Sequence, residues 1–214
     1  MKKSPFSIFK IGFEEVEAFF SFDRLKRLYD VPDGLEWSDI KVLIKAASYK
    51  RYPAKSFVIN EGDYNDNMYF IFKGLVRGFH VNDKGDEITA FLHKENQFFF
   101  GADTILLQRP SRFYYECLEP TYVGYLDFES IQLLLSAHQK LEETRRFIGR
   151  KIFSHSYDRM NSFVLLSPEE RYLAFIEKYP DLSERVPNKY IANVLGITPV
   201  SLSRLRSRLA VKKR

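Results

Sequence analysis

The sequence predicts an α+β chain: a double-stranded β-roll (jelly roll) toward the N-terminus, then a long helix, then a C-terminal helix-turn-helix. Three observations predict it. Short β-branched and aromatic runs broken by turn residues fill Tyr49 to Asp127, apolar residues return at helical spacing from Phe128 to about Phe163, and two amphipathic stretches joined by a glycine span Asn188 to Leu205. Texture therefore divides the chain into an N-terminal helical segment (1–45), the roll (46–127), a short and a long helix (128–163) and the helix-turn-helix region (164–214).

Trp37, Ile40, Leu43 and Ile44 recur at helical intervals and predict a helix from about Glu36 to Ala47. The first thirty residues are aromatic-rich and give no sharper reading. In the β-segment, Phe57-Val58-Ile59, Met68 to Phe72 and Leu75 to Val81 read as strands. Asn82 to Asp86, with Gly85, reads as a hairpin loop, and Gly62-Asp63 and Lys73-Gly74 punctuate in the same way. Several short strands at this spacing predict a small roll. Ser136-Ala137-His138 then separates a short helix from a long one, on which Leu141, Ile148, Ile152 and His155 fall along one side. That line suits either a dimer seam or packing against the chain's own roll. Ser167-Pro168-Glu169-Glu170 opens a further helix, with serine as cap, proline at the first position and Glu170 completing a capping box, and that helix ends before Pro180.

Charge adds a functional hint. From Phe163 to Arg214 there are ten basic residues against five acidic ones, and no acidic residue follows Glu184, although the net charge of the whole is only +5. Such a C-terminal part has the electrostatics of a polyanion binder, the alternative being a solvated basic tail. No apolar run approaches the roughly 18 residues of a membrane span, and Met1-Lys2-Lys3 opens no signal peptide, so a cytoplasmic protein without a membrane partner is expected. The single cysteine, Cys117, reads as a small buried hydrophobe and excludes an intrachain disulfide. His80, His93, His138 and His155 lack metal-ligand spacing, and neither a phosphate-cradling glycine loop nor a nucleophile elbow is present. Neither an enzyme nor a metal site is expected, and no cofactor. A cupin-like enzyme, a haem sensor with one axial histidine and a ligand-independent DNA-binding protein stand as the rival classes.

A helix-turn-helix needs a small residue where its helices cross, a glycine at the turn and apolar residues behind the second helix. Ala192 and Gly196 supply the first two, and Ile191, Leu195, Ile197, Leu202 and Leu205 supply the third. Thr198 caps a second helix running from Pro199 to about Leu209. Its outward face then offers Ser201, Ser203, Arg204, Arg206 and Arg208, a serine and arginine front suited to the major groove of double-stranded DNA. Lys212 in the basic tail would contact phosphate.

With these residues in place the chain resembles the Crp/Fnr family of transcription regulators over roughly 46–209. Gly62, Gly74 and Gly85 are spaced like that family's roll glycines, Phe100-Gly101 is similar to the start of its phosphate-binding cassette, and Arg112 stands where its phosphate-binding arginine would be. Ser203 and Arg204 match its serine and arginine pair on the recognition helix. The resemblance implies a cyclic-nucleotide-binding-like sensor, a long dimerisation helix and DNA-reading heads, acting as a homodimer on a palindromic operator and admitting RNA polymerase as a further partner.

Departures from the family pattern are specific. Ala102 stands where cyclic-AMP-binding members carry a ribose-holding glutamate, and Phe113 where they carry a hydroxyl. Cyclic AMP is therefore not the expected ligand. Arg112 binds another anion or pairs with a nearby carboxylate, and Ser156 roughly matches the long-helix hydroxyl that reaches the nucleotide. Gly101, Ala102, Arg112, Phe113 and Ser156 form the candidate pocket. Pro199 and Val200 replace polar residues at the start of the recognition helix, so a different target sequence is expected. A full β-hairpin wing after that helix is not expected, because the sequence stops at Arg214.

Overall fold

The computed structural model describes residues 36–137 and 139–212. The expectations about residues 1–35 and His138 lie outside them, as do the side chains of Ile148, His155 and Lys212. The chain divides into two compact units, one formed by residues up to 77 with 93–151, the other by 78–92 with 152–214.

Helix α1 (Trp37–Ala46) begins at Glu36, whose side chain and that of Asp39 form a reciprocal capping box, and buries Ile40 and Ile44. Eight strands follow: β1 (Ser48–Tyr52), β2 (Phe57–Ile59), β3 (Asn67–Lys73), β4 (Val76–Val81), β5 (Glu87–His93), β6 (Phe98–Phe100), β7 (Tyr114–Cys117) and β8 (Thr121–Asp127). They form two four-stranded sheets, ordered β1-β8-β3-β6 and β2-β7-β4-β5. The predicted runs are thus strands, and Gly62, Gly74 and Gly85 all take positive φ at the turns between them. One addition interrupts the β-segment, a short helix α2 (Ala102–Leu107) between β6 and β7.

Both sheets feed one core. Tyr52, Val58, Ile59, Tyr69, Ile71, Val76, Phe99, Tyr115, Cys117 and Val123 are buried together, mostly from strands whose alternation turns them inward, although the neighbours Val58 and Ile59 are both buried where β2 shifts register against β7. Within this core the Tyr69, Phe99 and Tyr115 rings stack in series, with centroids 4.9 and 5.6 Å apart, and His93 stacks on Phe99 at 5.5 Å. Cys117 is the small buried hydrophobe its sequence context suggested, and burial pushes its thiol up to about 11. Because the thiolate is the reactive form, folded protein at pH 7.5 is expected to resist a thiol reagent such as Ellman's. One equivalent should react promptly in denaturant, and equal rates in both states would disprove the burial.

Helix α3 (Phe128–Ala137) and helix α4 (Gln139–Leu165) follow β8. Leu141 is fully buried with Ile40, Ile44 and Leu135, so it belongs to a cluster between α1, α3 and α4. Of the two readings of the line through Leu141, Ile148, Ile152 and His155, packing within the chain holds at Leu141, and Ile152 is half-buried. A different stripe is uncovered. Phe153, Tyr157, Met160 and Val164 are 71, 50, 56 and 77% exposed. Their spacing of four, three and four residues puts them on one side of α4. The remaining helices are α5 (Pro168–Lys178), α6 (Leu182–Arg185), α7 (Asn188–Leu195) and α8 (Pro199–Lys212). Helix α5 starts with the predicted capping box between Ser167 and Glu170 and stops before Pro180. No described helix is long and apolar enough to cross a membrane.

Candidate nucleic-acid interface and sensor site

Helices α7 and α8 form the helix-turn-helix. Gly196 closes α7 at φ +68, and the N–H groups of Gly196 and Ile197 bond back to the carbonyls of Asn193 and Ala192 at 2.9 and 3.0 Å. A side chain at Gly196 would put its Cβ 2.6 Å from the Phe163 ring, so glycine here serves both the turn and a close approach. Thr198 Oγ1 accepts the Ser201 N–H at 3.1 Å, which is the predicted cap, and α8 runs three residues further than the predicted Leu209. Ile191, Ala192, Leu195, Leu202 and Leu205 are all buried, as an apolar back requires.

Sequence reasoning missed what clamps this pair from behind. Arg171 on α5 donates from Nε to the Leu195 carbonyl at 3.0 Å and from Nη1 to the Leu166 carbonyl at 2.6 Å, with its guanidinium over the Phe163 ring. It thereby satisfies carbonyls left open at two helix ends. Asn193 Oδ1 accepts the Thr89 N–H at 3.3 Å, and Arg159 lies over the Phe91 ring, so the β4–β5 hairpin packs on the same unit. No spacing rule signals such pairs, whose partners lie as far as 104 residues apart.

Residues on α8 sort by face. Ser203 and Arg204 are exposed, and Arg204 makes no hydrogen bond or ion pair among the described residues. Ser207, three residues beyond Arg204, is exposed beside them and was missing from the sequence-based set. Thr198 and Ser201 are exposed at the helix start, their hydroxyls 2.9 Å apart. Arg208 is exposed on one flank and paired with Glu169.

Arg206 requires a correction. It lies one turn from Leu202 on the inward flank, where Nη1 donates to Asn188 Oδ1 at 2.6 Å and the guanidinium covers the Tyr172 ring. Its Nε and Nη2 are buried without a partner among the described residues. An outward Arg206 was expected because a serine and arginine run looks uniformly polar, but its register with Leu202 carried the contrary signal. It ties α8 to α7 and α5.

In the other unit, Gly101 caps α2, and Ala102, Arg112 and Phe113 lie on the segment that runs from it to β7. Asp103, 4% exposed, is the centre of that segment. Its Oδ1 accepts Arg109 Nε and Nη2 at 3.0 and 2.8 Å and Arg112 Nε at 3.1 Å, with Arg112 Nη2 forming an ion pair at 3.0 Å, while Oδ2 accepts the Arg112 backbone N–H at 3.2 Å. Burial works against the charged carboxylate, but the Arg112 N–H and the two guanidinium groups outweigh it and hold the Asp103 pKa below its ordinary value. Of the two alternatives for Arg112, the structure shows the pairing with a carboxylate.

Phe113 packs against the roll core, its backbone held by Ser111 Oγ. Ala102 is exposed and offers no acceptor. Ser156 is exposed on α4 and donates to the Ile152 carbonyl at 3.2 Å. Of these candidate residues, Ala102 carries no side-chain acceptor and the Arg112 guanidinium is engaged with Asp103. Among the described residues no three His, Cys, Asp or Glu side chains group as metal ligands. His80 is exposed on β4.

Comparison with known proteins agrees with this architecture. Residues 49–138 match the model of the cyclic nucleotide-binding domain. The global nitrogen regulator of Synechocystis sp. is 26% identical over 160 residues, 67% of this chain and 69% of that protein. Among solved structures, FixK2 from Bradyrhizobium japonicum has a TM-score of 0.65 at 18% identity, covering 78% of this chain and 86% of its own. CLP, a c-di-GMP-responsive global regulator of Xanthomonas campestris, has a TM-score of 0.62 at 16% identity, covering 83% and 93%.

Proposed function

We propose that this chain, a member of the Crp/Fnr family whose residues 49–138 form a cyclic nucleotide-binding domain, is a cytoplasmic transcription regulator that binds a palindromic operator as a homodimer. One observation carries the reading: on α8 Arg204, exposed and without a partner among the described residues, stands with Ser203 and Ser207 on the face opposite buried Leu202 and Leu205. That face, in a region with no acidic residue after Glu184, suits base edges and phosphates in a major groove.

Arg204 and Ser203 read bases. Thr198, Ser201, Arg208 and Lys212 hold the backbone, Arg208 after leaving Glu169. Arg206 supports the helix from within. Two copies pair along the Phe153, Tyr157, Met160 and Val164 stripe, which sets the two recognition helices about one helical turn of DNA apart. RNA polymerase is a further partner this reading admits. Any effector is a molecule other than cyclic AMP, and it acts by favouring one arrangement of the heads.

Selection from random duplex DNA at two salt concentrations tests the reading. A two-fold-related motif is expected, and unenriched DNA held only at low salt would disprove it. On the selected duplex, Arg204→Ala is expected to cost about 1–3 kcal/mol and to abolish discrimination at one base pair. Lys212→Ala should weaken specific and random DNA alike and lower the salt slope by about one. Equal losses on both duplexes for both variants would refute these roles.

A further inference from the structure

We infer that Asp103 is a built-in anion of the β-roll, which fills the place of a ligand phosphate and closes the domain to cyclic nucleotides. The argument is one of donors. A phosphate oxygen is held by just such a set as two guanidinium forks and a backbone N–H, and here all five nitrogen contacts end on one carboxylate. A phosphate oxygen bonded to both forks would sit about 3 Å from the same nitrogens, and so beside Oδ1, with two like charges in contact.

Asp103 cannot easily yield. Its side chain is 5% exposed, so stripping it of its partners would leave a buried charge uncompensated, a loss that weakens binding roughly 10²–10³-fold. The forks differ in this respect. Arg109 and Arg112 side chains are 45 and 62% exposed, so the second positive charge is solvated and requires no outside anion. The sugar side offers nothing in return, with Ala102 exposed and Phe113 packed on the core. The roll interior, where Tyr69, Phe99, Tyr115 and His93 stack, is likewise occupied by the chain's own rings. A roll of this kind gives the heads a constant platform in place of a nucleotide-gated one.

The inference rests on the proposed function only for its DNA readout; ligand binding tests it independently. Calorimetry on the full chain with cyclic AMP, cyclic GMP, c-di-GMP and inorganic pyrophosphate should show no binding by the wild type at up to millimolar concentration. The affinity for the selected duplex should not change with any of them. Asp103→Asn keeps the shape and removes the charge, and is expected to gain pyrophosphate binding and a rise in Tm over chloride of equal ionic strength. Arg112→Gln added to it should abolish both. Micromolar binding of a cyclic nucleotide by the wild type, lost in Arg112→Gln, would overturn the inference, as would an Asp103→Asn protein that folds yet gains no anion. If Asp103→Asn does not fold, Arg109→Gln decides, because Asp103 then still holds Arg112: continued refusal of all four probes supports the built-in anion, and uptake of any overturns it. A failed DNA selection would count against the proposed function and leave these binding results standing.

Discussion

Met160→Asp combined with Val164→Asp is expected to convert a dimer into a monomer and to weaken binding to a duplex carrying both half-sites by about 10²–10⁴-fold, the gain that linking two weak sites provides. Both residues are uncovered in the single chain, at 56 and 77% exposure, so the fold itself should lose little, and Tm should move only a few degrees. In a paired seam each aspartate would meet an apolar surface or its own copy, and a buried unpaired carboxylate is among the costliest substitutions an interface can receive. Light scattering gives the mass and fluorescence anisotropy the affinity. Leu141→Ala supplies the contrast, since Leu141 is fully buried against α1 and α3. It should destabilise the chain by about 2–5 kcal/mol and leave the mass unchanged. A dimer that survives the double aspartate and dissolves with Leu141→Ala would move the interface back to the other side of the helix.

The second large effect concerns folding. Gly74→Ala is expected to lower stability by about 2–6 kcal/mol, the sum of a strained backbone and a steric overlap. Gly74 has φ +109, and a Cβ there would lie 2.6 Å from Thr121 Cα and 2.4 Å from Thr121 Oγ1. Thr121 has no room to retreat, being fully buried at the start of β8 with its hydroxyl bonded to the Glu119 carbonyl at 2.8 Å. The glycine N–H is itself held by Glu95 Oε1 at 3.0 Å, which fixes the turn between β3 and β4. Against a typical total of about 5–15 kcal/mol, such a loss leaves much of the population unfolded at physiological temperature. Gly85→Ala separates the two causes, because its Cβ would meet nothing within 4 Å and only the strain of a positive φ would remain. Equal urea midpoints for the two variants would show that the approach of Thr121 is not tight.

What the sequence could predict follows the range of the interactions involved. The capping box at Ser167 and Glu170, the Thr198 cap and the Gly196 turn are made by residues three or four positions apart, so their chemistry is written locally. The strands were legible for a similar reason, since alternation and turn glycines are properties of short stretches. Arg206 was misjudged although Leu202 stood one turn away, because composition was weighed above register. Asp103 was passed over despite lying close in sequence to both arginines, because a loop brings residues six and nine positions apart together only when its backbone path is known.

By itself, then, the sequence determined the α+β order of the main elements, the caps at Ser167 and Thr198 and the helix-turn-helix with its apolar back, all consequences of propensity and period. Tertiary structure alone decided that Leu141 of α4 is covered, because Ile40 and Ile44 arrive from a segment about a hundred residues away to pack on it beside its near neighbour Leu135. It also decided that Arg112 turns to Asp103 and Arg206 to Asn188, since a guanidinium takes the acceptor the fold brings within reach, and spacing does not record which residue that will be.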